Sequence, residues 1–168
     1  LVNGVQLNKR VTILEGWTVS TIAKELESKL GVDAQEFETA CKNKLLLWKW
    51  GIDGDSFEGY LFPETYQLSE EESSQEIINR MVEEYKKHFT DNFQDRRKKL
   101  GMSEKEVITL ASIIEGEAIY NRERPLISGV YHNRLERGMR LQADPTIQYI
   151  VDDGPRRLFN KDLKIKSP

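Results

Sequence analysis

Cysteine and histidine are scarce in this sequence, and their scarcity excludes several kinds of site. Cys41 is the only cysteine in 168 residues, so the chain cannot build a disulfide framework or a thiolate metal centre from its own residues. His88 and His132, the only histidines, are far apart and show no metal-ligand spacing, so a zinc site is not expected. We expect no metal and no cofactor.

Strong net charge and long apolar runs are also missing. The net charge is -3, whereas binding of nucleic acid requires a clustered basic face, so no nucleic-acid partner is expected. The basic runs at 96–99 and 156–157 have acidic neighbours and are interpreted as solvated surface. No apolar run approaches the roughly 20 residues that span a bilayer, and no signal peptide is recognised. The chain begins at Leu1 without an initiator Met and ends in a polar stretch, so we expect a piece of a longer protein.

The composition is that of an ordinary globular chain, with 38% apolar and 32% charged residues. Hydrophobic periodicity and turn residues predict a mostly helical α+β fold. We expect a small α/β lobe over 1–50, made of one strand and two helices, followed by a catalytic domain over 51–168 that is cut short at its end. The predicted elements are a strand over 5–13, a helix from Thr18 to Gly31, a helix capped by Asp33 that places Leu45 inward, an irregular stretch over 51–72, and helices over 74–93, 103–118, 125–138 and from Asp144.

A glutamate falls on the apolar side of the predicted helix 103–118. At about 100° per residue, Glu117 projects between Leu110 and Ile113, within an arc that also holds Val107, Ala111 and Ile114. Glu115 falls at the margin of this arc, where it can reach solvent. A carboxyl group among aliphatic side chains is costly to ionise, so its pKa is expected to rise, which suits a general acid.

Two interpretations of Glu117 remain open from periodicity alone. In one, Gly116 leaves the backbone open for close approach by a substrate, and Glu117 is functional. In the other, the helix frays after Ile114 and Glu117 turns into water.

Three segments resemble signatures of the MltG family, the YceG-like endolytic murein transglycosylases. They are residues 111–118 (ASIIEGEA), 133–146 (NRLERGMRLQADPT) and 58–66 (EGYLFPETY), and the resemblance extends over roughly residues 11–168. It implies a lysozyme-like active-site region in which the second glutamate of the Glu-x-Glu pair, here Glu117, is catalytic. It also implies a membrane-anchored parent that works outside the cytoplasmic membrane on nascent peptidoglycan strands, with cell-wall synthases as partners.

Such an enzyme cleaves between N-acetylmuramic acid and N-acetylglucosamine without adding water, and one carboxyl group serves first as acid and then as base. Polar side chains of the other signatures are candidates for holding the glycan. Asp144 could instead cap the helix that Pro145 begins, and Arg134 could instead anchor a carboxylate such as Glu64. Tyr66 could stack on a sugar ring or pack under its loop, and for Phe62 packing is favoured. The candidate substrate-binding residues are Glu64, Tyr66, Asn133, Arg134, Gln142, Asp144 and Thr146.

Three other functions remain open. The first is a muramidase that hydrolyses with two carboxylates, Glu117 together with Glu64, Glu115 or Asp144. The second is a non-catalytic glycan-binding or scaffolding module of a cell-wall synthesis complex. The third is a purely structural helical domain.

Overall fold

Helices dominate the structure, a computed structural model that describes residues 8–151, 158–159 and 161–165. The mixed, mostly helical α+β prediction is confirmed. The chain divides into two compact units, Leu1–Ile108 and Thr109–Pro168. The described elements are β1 (Lys9–Thr12), α1 (Val19–Leu30), α2 (Ala34–Ala40), α3 (Lys44–Trp50), β2 (Thr65–Leu68), α4 (Ser74–His88), α5 (Asp91–Lys99), α6 (Glu104–Glu117), α7 (Arg124–Glu136) and α8 (Asp144–Ile150), with 3-10 turns at Asn121–Glu123 and Asp162–Lys164.

A two-stranded antiparallel sheet lies in the first unit. β1 pairs with β2, with Val11 opposite Tyr66. The predicted strand over 5–13 is confirmed at 9–12, and residues 5–7 lie outside the described part. The expectation of an irregular chain over 51–72 is wrong at 65–68. There the side chains of β2 alternate, Tyr66 and Leu68 buried and Gln67 exposed, which is the pattern of a half-buried strand.

A hydrophobic core fills the first unit, and it contains residues that come before position 50 and residues that come after it. Phe37 and Cys41, before that position, and Phe57, after it, are all fully buried in this core. The structure therefore divides at 108/109 and not at the predicted boundary near 50. That the catalytic domain begins at 51 stays a prediction. Burial, aided by the charge of Glu58, raises the pKa of the Cys41 thiol to about 12.

Helix ends in the first unit follow local capping signals. Thr18 and Asp33 accept backbone N–H bonds at the starts of α1 and α2, as predicted. The second helix ends at Ala40, because Asn43 accepts bonds from two N–H groups and starts α3. The described part of the predicted first lobe, residues 8–50, thus holds three helices and not two.

The early end of α2 changes where two apolar side chains lie. Leu45, predicted to point inward, is 79% exposed on α3, so this prediction is wrong. Trp48, also on α3, is 81% exposed.

The predicted helix 74–93 is broken into α4 and α5. Phe89 leaves the helical region with φ -87° and ψ 62°, and Thr90 is extended, so the chain restarts at Asp91. The ring of Phe89 still stacks between Tyr85 and Phe93, at centroid distances of 5.2 and 5.7 Å. This aromatic row preserves the helical spacing across a break in the backbone.

In the second unit α6 continues through Glu117, with Leu110 and Ile113 buried and Ala111 exposed, against prediction. Its predicted capping box is confirmed, since Ser103 and Glu106 exchange bonds at its start. Only one narrow side of α7 is covered, and Tyr131 on this side is buried. Three other apolar residues of α7, Leu126, Val130 and Leu135, are exposed.

None of the helices in the described ranges has the length and apolar character needed to cross a bilayer.

Candidate active site

Glu117 is the last residue of α6 and lies on the same side of the helix as the buried Leu110 and Ile113. Its side chain is half-buried. The backbone remains helical beyond it, because the Ala118 N–H donates to the carbonyl of Ile114 over 3.0 Å. The expectation that the helix frays after Ile114 is therefore wrong, and Glu117 keeps the direction that helical periodicity assigns to it.

Tyr131 of α7 supplies the hydrogen-bond partner of Glu117. Its hydroxyl donates to Oε1 of Glu117 over 3.1 Å, and its residue is only 6% exposed. Burial, the hydrogen bond to Glu117 and the charge of Glu117 together raise the pKa of Tyr131 to about 12; Arg134 lowers it and Asp144 raises it. The phenol therefore stays protonated at neutral pH. The same interactions place Arg134 and Asp144 close to this pair.

The glycine between the two glutamates is explained by a contact with α8. A Cβ at Gly116 would lie 2.8 Å from both Cβ and Cγ of Pro145, closer than side-chain carbons pack. The space where a side chain of residue 116 would lie is thus occupied by the first turn of α8, and close approach of a substrate to the Gly116 backbone stays a prediction. The contact with α8 places Asp144 and Pro145 beside the last turn of α6.

Glu115 forms an ion pair with Arg124. Nη2 of Arg124 lies 2.7 Å from its carboxylate, and both side chains are partly exposed. The prediction that Glu115 can reach solvent is confirmed, since 32% of its side chain is exposed, and Arg124 is its additional partner.

Asp144 does not cap α8. The capping position is Ala143, and Asp144 is the first helical residue, without a side-chain cap bond. The capping interpretation is therefore wrong, because the chain turns into the helix one residue earlier than Pro145 alone indicated. The hydroxyl of Thr146 donates to the Ala143 carbonyl over 2.6 Å. Three predicted binding residues are exposed here: Gln142, Asp144 and Thr146.

Arg134 and Asn133 lie in the last turn of α7. The Arg134 guanidinium donates to the backbone carbonyl of Leu141, which ties α7 to the loop that follows it. Asn133 is exposed. The structure thus gives Arg134 a carbonyl partner, and its pairing with Glu64 stays a prediction.

Glu64 and Tyr66 lie in the first unit. The ring of Tyr66 is 7% exposed, and its hydroxyl donates to the Phe62 carbonyl over 2.6 Å. Tyr66 is therefore a packing residue, and its burial contradicts a role in stacking on sugars. Phe62 packs as expected, stacked on His88 at a centroid distance of 4.2 Å. Glu64 is exposed and accepts a 2.7 Å bond from the Thr65 N–H.

Neither Tyr131 nor Arg124 is among the site residues predicted from the sequence. A buried tyrosine hydroxyl usually finds a hydrogen-bond partner, and this requirement was the available signal. No local pattern pairs Arg124 with Glu115, because the helix direction changes between them.

Comparisons with known proteins find a matching family, similar sequences and a similar structure. The YceG-like family matches residues 1–168. The endolytic murein transglycosylase of Bacillus subtilis (strain 168) is 37% identical over 111 residues, which is 66% of this chain and 31% of that protein. The protein of the same name from Streptococcus pneumoniae serotype 2 is 36% identical over 92 residues, 55% of this chain and 16% of that protein. The chain thus spans less than a third of these relatives.

A solved structure has the same fold. The crystal structure of a yceG-like protein from Listeria monocytogenes aligns with a TM-score of 0.86 at 28% identity, covering 96% of this chain and 58% of that one.

Proposed function

The chain belongs to the YceG-like family, and on that premise we propose that it is the catalytic part of an endolytic murein transglycosylase with Glu117 as its acid–base group. The observation that carries the proposal is the half-buried Glu117 carboxyl, held by Tyr131 at the end of α6. The names of relatives at 36–37% identity support the reaction class.

The proposed reaction uses one carboxyl group twice. The Glu117 carboxylic acid gives its proton to the glycosidic oxygen between N-acetylmuramic acid and N-acetylglucosamine, and the bond from that oxygen to the anomeric carbon breaks. The C6 hydroxyl of the same muramic acid then attacks the anomeric carbon, and its proton passes to the Glu117 carboxylate. The product is a 1,6-anhydro end, Glu117 is protonated again, and no water is consumed.

Tyr131 fixes which carboxyl oxygen does this work. Because Oε1 accepts the phenolic hydrogen bond, we assign proton transfer to Oε2. The bond also limits rotation of the carboxyl group, which keeps its second oxygen aimed at one position. Tyr131 is thus a positioning residue.

Polar side chains of both units are proposed to hold the glycan. Amide and hydroxyl groups suit sugar hydroxyls and N-acetyl groups, and the guanidinium suits acidic or carbonyl oxygens. A contact from Glu64 is also proposed. In the second unit the proposed groups are Asn133, Arg134, Gln142, Asp144 and Thr146.

For the whole protein, we propose peptidoglycan strands as substrate and a location on the outer side of the cytoplasmic membrane. We also propose the synthases that make nascent strands as partners. These proposals follow from the reaction, since its substrate is found in that compartment.

The test is an analysis of product ends. The chain and its Glu117→Gln form are incubated with uncrosslinked glycan strands, and the new ends are identified by mass. We expect anhydro ends, and a fall in rate of at least about 100-fold for Glu117→Gln. Glu136→Gln is the matched control, because Glu136 is an exposed carboxylate of α7, and it should leave the rate unchanged.

Other products point to other functions. Reducing ends formed with water would identify a hydrolase with a second carboxylate. Strand binding without cleavage would identify a scaffolding module. Cleavage that survives in Glu117→Gln would remove Glu117 from the mechanism.

A further inference from the structure

A small cavity lies along α7, next to the last turn of the helix. Its volume is about 240 Å³. Three lining residues belong to α7 and a fourth is its C-cap residue, and the four follow the spacing i, i+3, i+4, i+7, so they form one stripe. The fifth comes from the loop after the helix, where its N–H donates to the Arg134 carbonyl over 2.8 Å. The lining residues are Val130, Asn133, Arg134, Arg137 and Met139.

The lining combines cationic and apolar side chains. Two guanidinium groups, Arg134 and Arg137, lie beside the Asn133 amide, and within the described residues no acidic side chain lines the cavity. Planar guanidinium groups match the geometry of a carboxylate and can bind it through two parallel bonds. Val130 and Met139 supply an apolar wall that suits a methyl group next to that carboxylate.

The geometry of the cavity is set by the backbone around it. The bond from Arg134 to the Leu141 carbonyl orients one guanidinium and uses one of its five donors. The next residue, Gln142, has φ 53°, a left-handed conformation that is uncommon for a residue with a side chain. Strained backbone of this kind is concentrated at ligand-binding and active sites. The loop is therefore shaped to hold Arg134 in place.

The cavity is also next to the candidate acid. Arg134, which lines it, comes three residues after Tyr131 on α7, so the two side chains lie on the same face of the helix, and the Tyr131 hydroxyl bonds Glu117. A strand bound at Glu117 would thus reach the cavity with a neighbouring substituent.

From these observations we infer that the Arg134–Arg137 cavity binds a carboxylate of the peptidoglycan strand held at Glu117. This inference rests on the proposed function. The carboxylate has two possible sources, a peptide stem or, on a strand whose stems have been removed, the lactyl group of N-acetylmuramic acid.

The test compares binding of three ligands in the Glu117→Gln background, where cleavage does not interfere. The ligands are glycan strands with peptide stems, strands stripped of stems so that lactyl carboxylates are exposed, and N-acetylglucosamine oligomers of similar length, which carry no carboxylate. The variant is Arg137→Gln. Arg137 is exposed, so folding should be unaffected. The control is Arg140→Gln, which removes an exposed arginine outside the cavity.

We expect Arg137→Gln to raise the Kd for a carboxylate-bearing strand by about fivefold to tenfold and to leave the neutral oligomer unchanged. Loss with stem-bearing strands alone assigns the stem, and loss with stripped strands assigns the lactyl group. An unchanged Kd for both acidic strands would overturn the inference, as would equal losses for the neutral oligomer or for Arg140→Gln. Failure of the proposed function would be recognised separately. If the chain made no anhydro ends but still bound acidic strands through Arg137, the carboxylate site would stand and the proposed reaction would be rejected.

Discussion

The Tyr131 hydroxyl donates a hydrogen bond to the Glu117 carboxylate over 3.1 Å, joining the middle of α7 to the last residue of α6. Burial keeps the phenol protonated well above neutral pH, so the donor is present wherever the protein is folded under ordinary conditions. Because the donor is buried and fixed, it holds one carboxyl oxygen and leaves the other to solvent or substrate.

Tyr131→Phe keeps the ring and removes this donor. We expect kcat for strand cleavage to fall by about tenfold, since a hydrogen bond to a charged group contributes about 1.5–3 kcal/mol. Initial rates of anhydro-end formation measure this fall, and a rate equal to that of the unaltered chain would contradict the positioning role.

Gly116→Ala tests the close approach of α8 to α6. The new methyl group would lie 2.8 Å from Pro145, and relieving such a clash costs about 1–3 kcal/mol. Gly129→Ala is the matched control within α7, where a Cβ meets nothing within 4 Å and alanine should stabilise the helix by up to about 1 kcal/mol. Urea unfolding gives the free energies. Equal stabilisation by both substitutions would show that Pro145 yields without strain.

Gly59→Ala tests the close contact between Gly59 and Ile108 in the first unit. Gly59 has φ 82°, and its Cβ would lie 2.6 Å from Cγ2 of Ile108, a branched side chain packed against the core. Gly51 also has a left-handed φ, 65°, but open space around its Cβ. Gly51→Ala should lose about 1–2 kcal/mol of unfolding free energy through backbone strain alone, and Gly59→Ala should lose about 1 kcal/mol more. Similar losses, measured by urea unfolding, would mean that the Ile108 contact relaxes.

Glu104 should make the unfolding free energy of the protein fall as the pH is lowered into the acid range. Burial acts to raise its pKa, but hydrogen bonds from Tyr85, Lys86 and Gln94 and the charge of Lys86 outweigh burial, so its pKa is lowered. A carboxyl group with a lowered folded-state pKa stabilises the protein above its unfolded-state pKa, and this stability is lost as the pH falls through the folded-state pKa. Glu104→Gln should therefore be less stable than the unaltered chain near neutral pH, and the two unfolding free energies should converge in acid. A difference independent of pH would contradict this assignment.

Local signals in the sequence were sufficient for most helix starts. Thr18, Asp33 and Ser103 each accept the N–H bond that their position predicts, because a cap needs only a few neighbouring residues. The direction of Glu117 was also predictable, since helical geometry relates it to Leu110 and Ile113. These features depend on residues that are close together in the sequence.

Features that depend on residues far apart in the sequence could not be predicted in this way. The strand at Tyr66 exists because β1 pairs with it, and Gly116 is required because Pro145 approaches it from a later helix. The partner of Glu117 is a tyrosine that periodicity identified only as apolar. In each case the deciding contact joins two elements, and a single sequence does not specify which elements meet.

Cys41 allows opening of the interior of the first unit to be measured by chemical labelling. It is the chain's only thiol, it is fully enclosed, and almost none of it is thiolate at neutral pH. A thiol reagent can therefore modify it only during moments when the surrounding packing opens. The rate of labelling at a single native position then measures the free energy of that opening, and no reporter group has to be introduced.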